Sequence, residues 1–258
     1  MLIAQITDPH VSTPGAQLYG GYLPDFALSD VVARVRSLDP RPDFVWLTGD
    51  LTENGTAEEY ANFRGLIAQL DLPMAAIPGN HDSRDEFGSS LSGTGIQIGD
   101  GPFLSLIVDG HAVRMIGLDS KGAAGDSAGM LSDGQLAWLG ERLDEDRSTP
   151  TAIFLHHPPF ETGIGFVDAT RCAAGPALGA LVSAHGNVRL VSSGHVHRPV
   201  QTQWAGTIAS ICPSIAWALP LALAPGAPGG IVPQSPGFQL HLWTGQAFVT
   251  HTDYLPGD

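Results

Sequence analysis

The sequence predicts a layered α/β fold, and three observations predict it. Short apolar runs, each stopping at a polar cluster, alternate with stretches of helical periodicity. The 258 residues, 43% hydrophobic and 15% charged, suffice to bury a sizeable core. No internal repeat or interdomain linker breaks the pattern, so a single domain spanning 1–258 is expected.

In chain order, Leu2 to Thr7 reads as the first strand; no basic segment precedes it, so it does not resemble a signal peptide. Leu28 to Leu38 reads as the first helix and Phe44 to Thr48 as the second strand. Thr56 is placed to cap a helix and Glu59 to close a capping box, with Tyr60, Phe63, Leu66, Ile67 and Leu70 on one apolar face. Strands follow at Met74 to Ile77, Leu104 to Val108 and Val113 to Leu118. Ser132 and Gln135 open a helix carrying Leu136, Leu139 and Leu143. Ala152 to Leu155 is a strand, a fourth helix ends near Gly186, and Val188 to Ser192 is the next strand. After His197 the pattern changes to short β-like stretches. Pro213 to Pro236, rich in Pro, Ala and Gly, reads either as a lid or contact surface or as a plain irregular connection. Gly237 to His251 reads as a terminal hairpin turning at Thr244 and Gly245.

A formal net charge of -14 argues against a nucleic-acid surface, which needs a basic stripe. An anionic substrate would need a concentrated local positive charge, and bound metal ions are the strongest source of one. Cys172 and Cys212 are too few for a disulfide framework or a Cys-rich zinc site, so metal ligands must be His, Asp or Asn. No apolar run is long enough to span a bilayer, and a soluble, cytoplasmic protein without membrane partners is expected.

The polar residues fall where strands end. Asp8 and His10 follow the first strand, Asp50 the second and Asn80 and His81 the third; His156 and His157 follow the Ala152 strand, His195 and His197 the Val188 strand. Loops at one edge of an α/β sheet converge, so these side chains can share a cleft. Imidazole nitrogen with carboxylate or amide oxygen suits Mn, Fe, Co or Zn, and the donors suffice for two ions if one carboxylate bridges. Each piece alone has a plainer reading: Asp8 as a cap or turn former, Gly49-Asp50 and Gly79-Asn80-His81-Asp82 as tight turns, His156-His157-Pro158-Pro159 as a rigid turn, and His195 and His197 as an exposed strand end. Jointly, the plain readings fail to explain five strand ends with one chemistry.

The order Asp8-x-His10, Gly49-Asp50, Gly79-Asn80-His81-Asp82, His156 and Gly194-His195-x-His197 resembles the calcineurin-like metallophosphoesterases from Met1 to about Pro199. The run Gly49 to Gly55, Glu58-Glu59-Tyr60 and Leu18-Tyr19-Gly20 resemble the bacterial class III cyclic nucleotide phosphodiesterases and glycerophosphodiesterases in particular. Protein phosphatases of the superfamily carry Asp-Arg-Gly where this chain has Glu53-Asn54-Gly55, which counts against that activity. The resemblance implies a four-layer α/β/β/α sandwich of two mixed sheets flanked by helices, with a metal-binding core over about 1–200 and strands and loop over 201–258 that shape the pocket or a homo-oligomer contact. It implies that Asp8, His10 and His197 hold one metal, Asn80, His156 and His195 the other, and that Asp50 bridges. A hydroxide between the ions would then attack a small phosphodiester. Asn80 is a neutral donor, so its metal is expected to be the more weakly held. His81, beside a ligand without being one, is expected to touch a phosphate oxygen or protonate the leaving alkoxide; the alternative is that it only orients the loop. His157 is expected to pack or orient, and Asp82 to support its loop. The competing functions are a phosphomonoesterase or nuclease on the same metals, or a non-catalytic scaffold, which the intact ligand set disfavours.

Overall fold

The computed structural model describes residues 1–256. Twelve strands form two mixed sheets of six. In the first sheet β1 (Leu2–Ile6), β2 (Phe44–Thr48), β3 (Met74–Ile77) and β4 (Ile96–Gln97) run parallel, and the antiparallel hairpin β11 (Gly237–Trp243) and β12 (Phe248–Tyr254) extends the β1 edge. In the second, β6 (Arg114–Leu118), β7 (Thr151–Leu155), β8 (Val188–Ser193) and β10 (Thr207–Ile211) run parallel between antiparallel β5 (Leu106–Val108) and β9 (Val200–Trp204).

Period-two alternation along the strands builds three cores. Ile3, Phe44, Trp46, Ala75, Ile77, Ala152 and Phe154 face the space between the sheets. The alternate residues Ala4, Ile6, Val45, Leu47 and Ala76 pack against α1 (Pro24–Arg36), α2 (Ala57–Ile67) and α3 (Arg84–Leu91). Ile153, Leu155 and Val191 pack against α4 (Asp133–Glu145) and α6 (Gly175–Ala184). These three interfaces make the expected α/β/β/α sandwich. Within the middle one, Trp46 stacks on Phe154 with ring centroids 4.8 Å apart and planes at 14°.

Both expected capping boxes form, at Thr56 with Glu59 and at Ser132 with Gln135. The first helix starts at Pro24 rather than Leu28 and stops at Arg36, because proline's fixed φ suits a first helical turn. The strand expected from Leu104 starts at Leu106, since the Leu104 amide donates to Asp119 (3.1 Å) instead of to a neighbouring strand. The fourth helix ends at Ala184. Helix α3 and the four-residue α5 (Gly165–Asp168) lie outside the expected set; α3 buries only Phe87 and Leu91, too few apolar positions to show a periodicity. Between Pro213 and Pro236 a single bridge joins Ala218 to Val232, so the segment is two limbs of a loop.

Candidate metal centre

The parallel strands deliver Asp8 and His10, Asp50, Asn80, His156, and His195 and His197 from their C-terminal ends into one cluster, all buried except the half-buried Asn80 and His195. Asp8, His10, Asp50, His195 and His197 all adopt left-handed backbone, with φ of 50°, 47°, 48°, 68° and 54°. Among the described residues only Asp71 and Ala205 are other non-glycine examples, so backbone strain is concentrated at the cluster. Close approach explains two glycines. A Cβ on Gly79 would run into the Asp50 carboxylate, and one on Gly194 into Thr7 and Asp8.

Hydrogen bonds at the far side of each ring fix which nitrogen faces inward. His10 Nδ1 donates to Glu53 Oε2 (2.8 Å), His197 Nδ1 to the Trp217 carbonyl (2.9 Å) and His156 Nδ1 to the Thr48 carbonyl (2.8 Å). Their Nε2 atoms therefore point at one another or at carboxylates. His10 Nε2 and His197 Nε2 are 3.3 Å apart, and Asp8 Oδ1 lies 3.2 Å from the latter. On the other side Asn80 Oδ1 lies 3.2 Å from His156 Nε2 and 3.0 Å from His195 Nδ1. The outer nitrogen of His195 is 2.8 Å from the Thr170 hydroxyl. Asp50 Oδ2 lies between the two groups, 3.4 Å from His156 Nε2 and 3.8 Å from His10 Nε2, while its Oδ1 accepts from the His81 amide (2.8 Å).

This arrangement fits two cations. The inward nitrogens of His10 and His197, 3.3 Å apart, are close enough to share one ion with Asp8 Oδ1, which is buried with no hydrogen-bond partner. The protonation states agree. Burial works against the charge of Asp8, but His197 and His156 outweigh it and lower the carboxyl to about 2. Burial likewise opposes the Asp50 anion, and His156 holds it well below the usual carboxylate range. Burial beside His156 lowers His195 to about 3, leaving it neutral. His156 is the exception: against burial, the Asp50 and Asp8 carboxylates raise it to about 9. A bound ion would take the place of that proton on His156 Nε2.

The neighbouring residues sort themselves. Asp82 accepts from the Gly79, Leu51 and Thr52 amides and from the Tyr60 hydroxyl, tying the two ligand loops together. His157 is buried beside His156 and His195, with Nδ1 3.0 Å from the Ser120 hydroxyl. His81 Nδ1 donates to the Glu53 carbonyl (2.8 Å), which leaves Nε2 uncommitted, and its ring meets that of His10 edge-on at 4.7 Å. Burial opposes its charge, but Asp50 and the Glu53 carbonyl raise its pKa.

Sequence reasoning did not single out Glu53, Trp217, Thr170 or Lys121, whose amine donates to the Asn80 carbonyl (2.7 Å). Glu53 sits three residues past Asp50, where its spacing was a usable signal. Trp217 lies in the Pro-, Ala- and Gly-rich segment and carries none. Its ring lies 4.7 Å from that of His10 and 5.3 Å from that of His197, so the start of the segment stands against the cluster.

A family model described as calcineurin-like phosphoesterase matches residues 1–199. The chain is 34% identical over 257 residues to a probable glycerophosphodiester phosphodiesterase of Arcobacter nitrofigilis, covering 99% of this chain and 93% of that one. It is 30% identical over 204 residues to a 3',5'-cyclic adenosine monophosphate phosphodiesterase of Pseudomonas aeruginosa, covering 79% and 72%. Among solved structures, a dimetal phosphatase from Danio rerio superposes with a TM-score of 0.69 at 16% identity, over 96% of this chain and 98% of that one, which shows the shared fold. The chain belongs to the calcineurin-like phosphoesterase family.

Proposed function

We propose that this chain is a binuclear metal-dependent phosphodiesterase that hydrolyses a small phosphodiester. The observation that carries the reading is the pair of facing donor groups with Asp50 between them. Asp8, His10 and His197 would hold one ion, Asn80, His156 and His195 the other, and Asp50 both; Mn, Fe, Zn and Co all suit these donors. When bound, such ions supply a water ionised near neutral pH and positive charge for the phosphoryl oxygens. The chain's own residues prepare the rest. Asp8 and Asp50 are the only anionic donors in the set, so the loaded site keeps a net positive charge for a diester anion. His81, with Nδ1 donating to the Glu53 carbonyl and Nε2 uncommitted, is placed to touch a phosphate oxygen or to protonate the leaving alkoxide from Nε2. The amide of Asn80 binds substrate and ion through neutral atoms only.

The same reading takes 1–258 as one domain of a homo-oligomer working in the cytoplasm, with exposed Leu221 and Leu223 as a contact between copies. No helix among the described residues is long and apolar enough to cross a membrane.

The test is hydrolysis of an aryl phosphodiester and the matching monoester by metal-free protein with Mn added back, for wild type and Asp50→Ala. Diester turnover that returns with Mn and is at least about a thousandfold lower in the variant is expected, a loss of several kcal/mol of charge stabilisation. Faster monoester cleavage would make the protein a phosphatase. No turnover with both metals bound would make it a scaffold.

A further inference from the structure

Lys121 is the only lysine of the 258 residues; histidine aside, every other basic side chain is an arginine. It stands just past β6 and is buried, 9% exposed. Burying an ammonium is costly unless its charge and its three donors are met. Here Nζ donates to the Asn80 carbonyl (2.7 Å), and among the described residues the ammonium forms no ion pair.

The buried carboxylates nearby are committed elsewhere. Arg84 grips Asp119 through two nitrogens (2.6 and 3.0 Å), and the Leu104 and Lys121 amides donate to the same carboxylate (3.1 and 3.0 Å). Asp82 is taken up by three amides and the Tyr60 hydroxyl. Arg84 also donates to the Lys121 and Gly122 carbonyls, so the backbone that carries the lysine is pinned. Lys121 lines a cavity of about 340 Å³ together with Asn80, His81 and Asp85. Asn80 is a candidate ligand and His81 Nε2 is uncommitted, so this cavity adjoins the candidate metal centre. Asp85 brings a negative charge to it from the first turn of α3, but is exposed and screened by water.

We propose, resting on the phosphodiesterase reading, that Lys121 is a substrate-binding residue whose remaining donors take an anionic phosphate oxygen on the side of the centre where Asn80 and His81 stand. An ammonium held by a carbonyl instead of a carboxylate keeps its charge for such an anion. A hydrogen bond between charged groups in a buried place contributes about tenfold to a hundredfold in affinity.

The experiment takes inorganic phosphate as its probe and uses the lysine's singularity, because isotope-labelled lysine gives this chain one side-chain NMR resonance. In the Zn-loaded protein, phosphate is expected to shift that resonance saturably. In the Mn-loaded protein, Lys121→Met is expected to raise the inhibition constant of phosphate and to lower kcat/KM for an aryl phosphodiester, each about tenfold to a hundredfold, at unchanged Mn affinity. Asp85→Asn, an exposed change that leaves the lysine in place, is expected to lower the inhibition constant about twofold. Absence of diester turnover in wild type overturns the phosphodiesterase reading and this inference with it. Where wild type turns over the diester, a resonance indifferent to phosphate, no inhibition by phosphate, or equal inhibition constants in wild type and both variants overturns the role of Lys121 alone. So does a loss of Mn affinity in Lys121→Met that matches its loss in kcat/KM, which would make the lysine only a prop for Asn80.

Discussion

Glu53 holds two groups at once: Oε2 accepts from His10 Nδ1 at 2.8 Å and Oε1 from the Tyr19 hydroxyl at 2.7 Å. A carboxylate behind a ligating imidazole fixes its tautomer, raises its basicity and holds the ring, and removing it typically costs 10- to 100-fold in metal affinity or activity. Glu53→Gln is therefore expected to weaken Mn binding at the His10 side by roughly that factor. The check is a competition titration against a chelating dye, with circular dichroism confirming the fold; unchanged affinity would mean that packing against Trp217 alone orients His10. The contrast with the seven candidate ligands shows what a sequence makes legible at this scale. Asp8, His10, Asp50, Asn80, His156, His195 and His197 were found because each stands directly after an apolar strand, so secondary structure and chemistry signal together. Glu53 offered only its spacing from Asp50, and Trp217 acts through a ring face set by loop geometry, which no periodicity encodes.

At the scale of elements, strand β11 carries a buried histidine that the site does not use. His241 lies 2.9 Å from Gln5 Oε1, to which its Nε2 donates, and its Nδ1 accepts from the Thr250 hydroxyl (2.8 Å), so the neutral ring is fully satisfied. Burial lowers it from its ordinary 6.5 to about 3. With the folded pKa below the unfolded one, the unfolded chain takes up the proton first. The stabilisation is thus whole above about 6.5 and drains away as pH falls toward 3. Between pH 7 and pH 5 this one group should cost about 2 kcal/mol of stability. His241→Gln keeps a donor and an acceptor without titrating, so urea unfolding should show wild type losing about 2 kcal/mol more than the variant over that interval. Equal losses would mean that water reaches the ring. Most strands of both sheets were legible because short apolar runs and their polar stops are local signals, as were the capping boxes at Thr56 and Ser132, whereas the two-residue β4 is too short to show one. Helix α3 was not, because Ser83 caps a segment whose burial depends on packing against α2 rather than on its own pattern.

For the whole molecule, the candidate metal centre is one of the places where polar groups join the two sheets, because Asp8, His10, Asp50 and Asn80 come from the first sheet and His156, His195 and His197 from the second. Five of these seven residues hold left-handed backbone, a conformation costing of order 1–3 kcal/mol each in non-glycine residues. Two buried carboxylates, Asp8 and Asp50, add mutual repulsion, which the raised pKa of His156 offsets only in part. The folded chain without cations therefore carries a local cost that bound ions remove. Anything binding the native state alone stabilises it by RT ln(1 + [L]/Kd), about 2.7 kcal/mol at a hundredfold excess over Kd for one site. For a chain of this size that corresponds to roughly 5–10 °C. Stripping the protein with a chelator should lower its melting temperature by at least roughly 5 °C, and Mn should restore it. Calorimetric titration of Mn should then resolve a tighter and a weaker class of sites, because Asp8 contributes a charge on one side where Asn80 contributes only an amide oxygen on the other. Two equally tight sites would mean that the shared Asp50 carboxylate, and not the outer donors, dominates both affinities. A melting temperature indifferent to chelation would mean that the strained loops are held by the hydrogen bonds of Asp82 and Glu53 alone, and that the facing Nε2 atoms of His10 and His197 serve no cation.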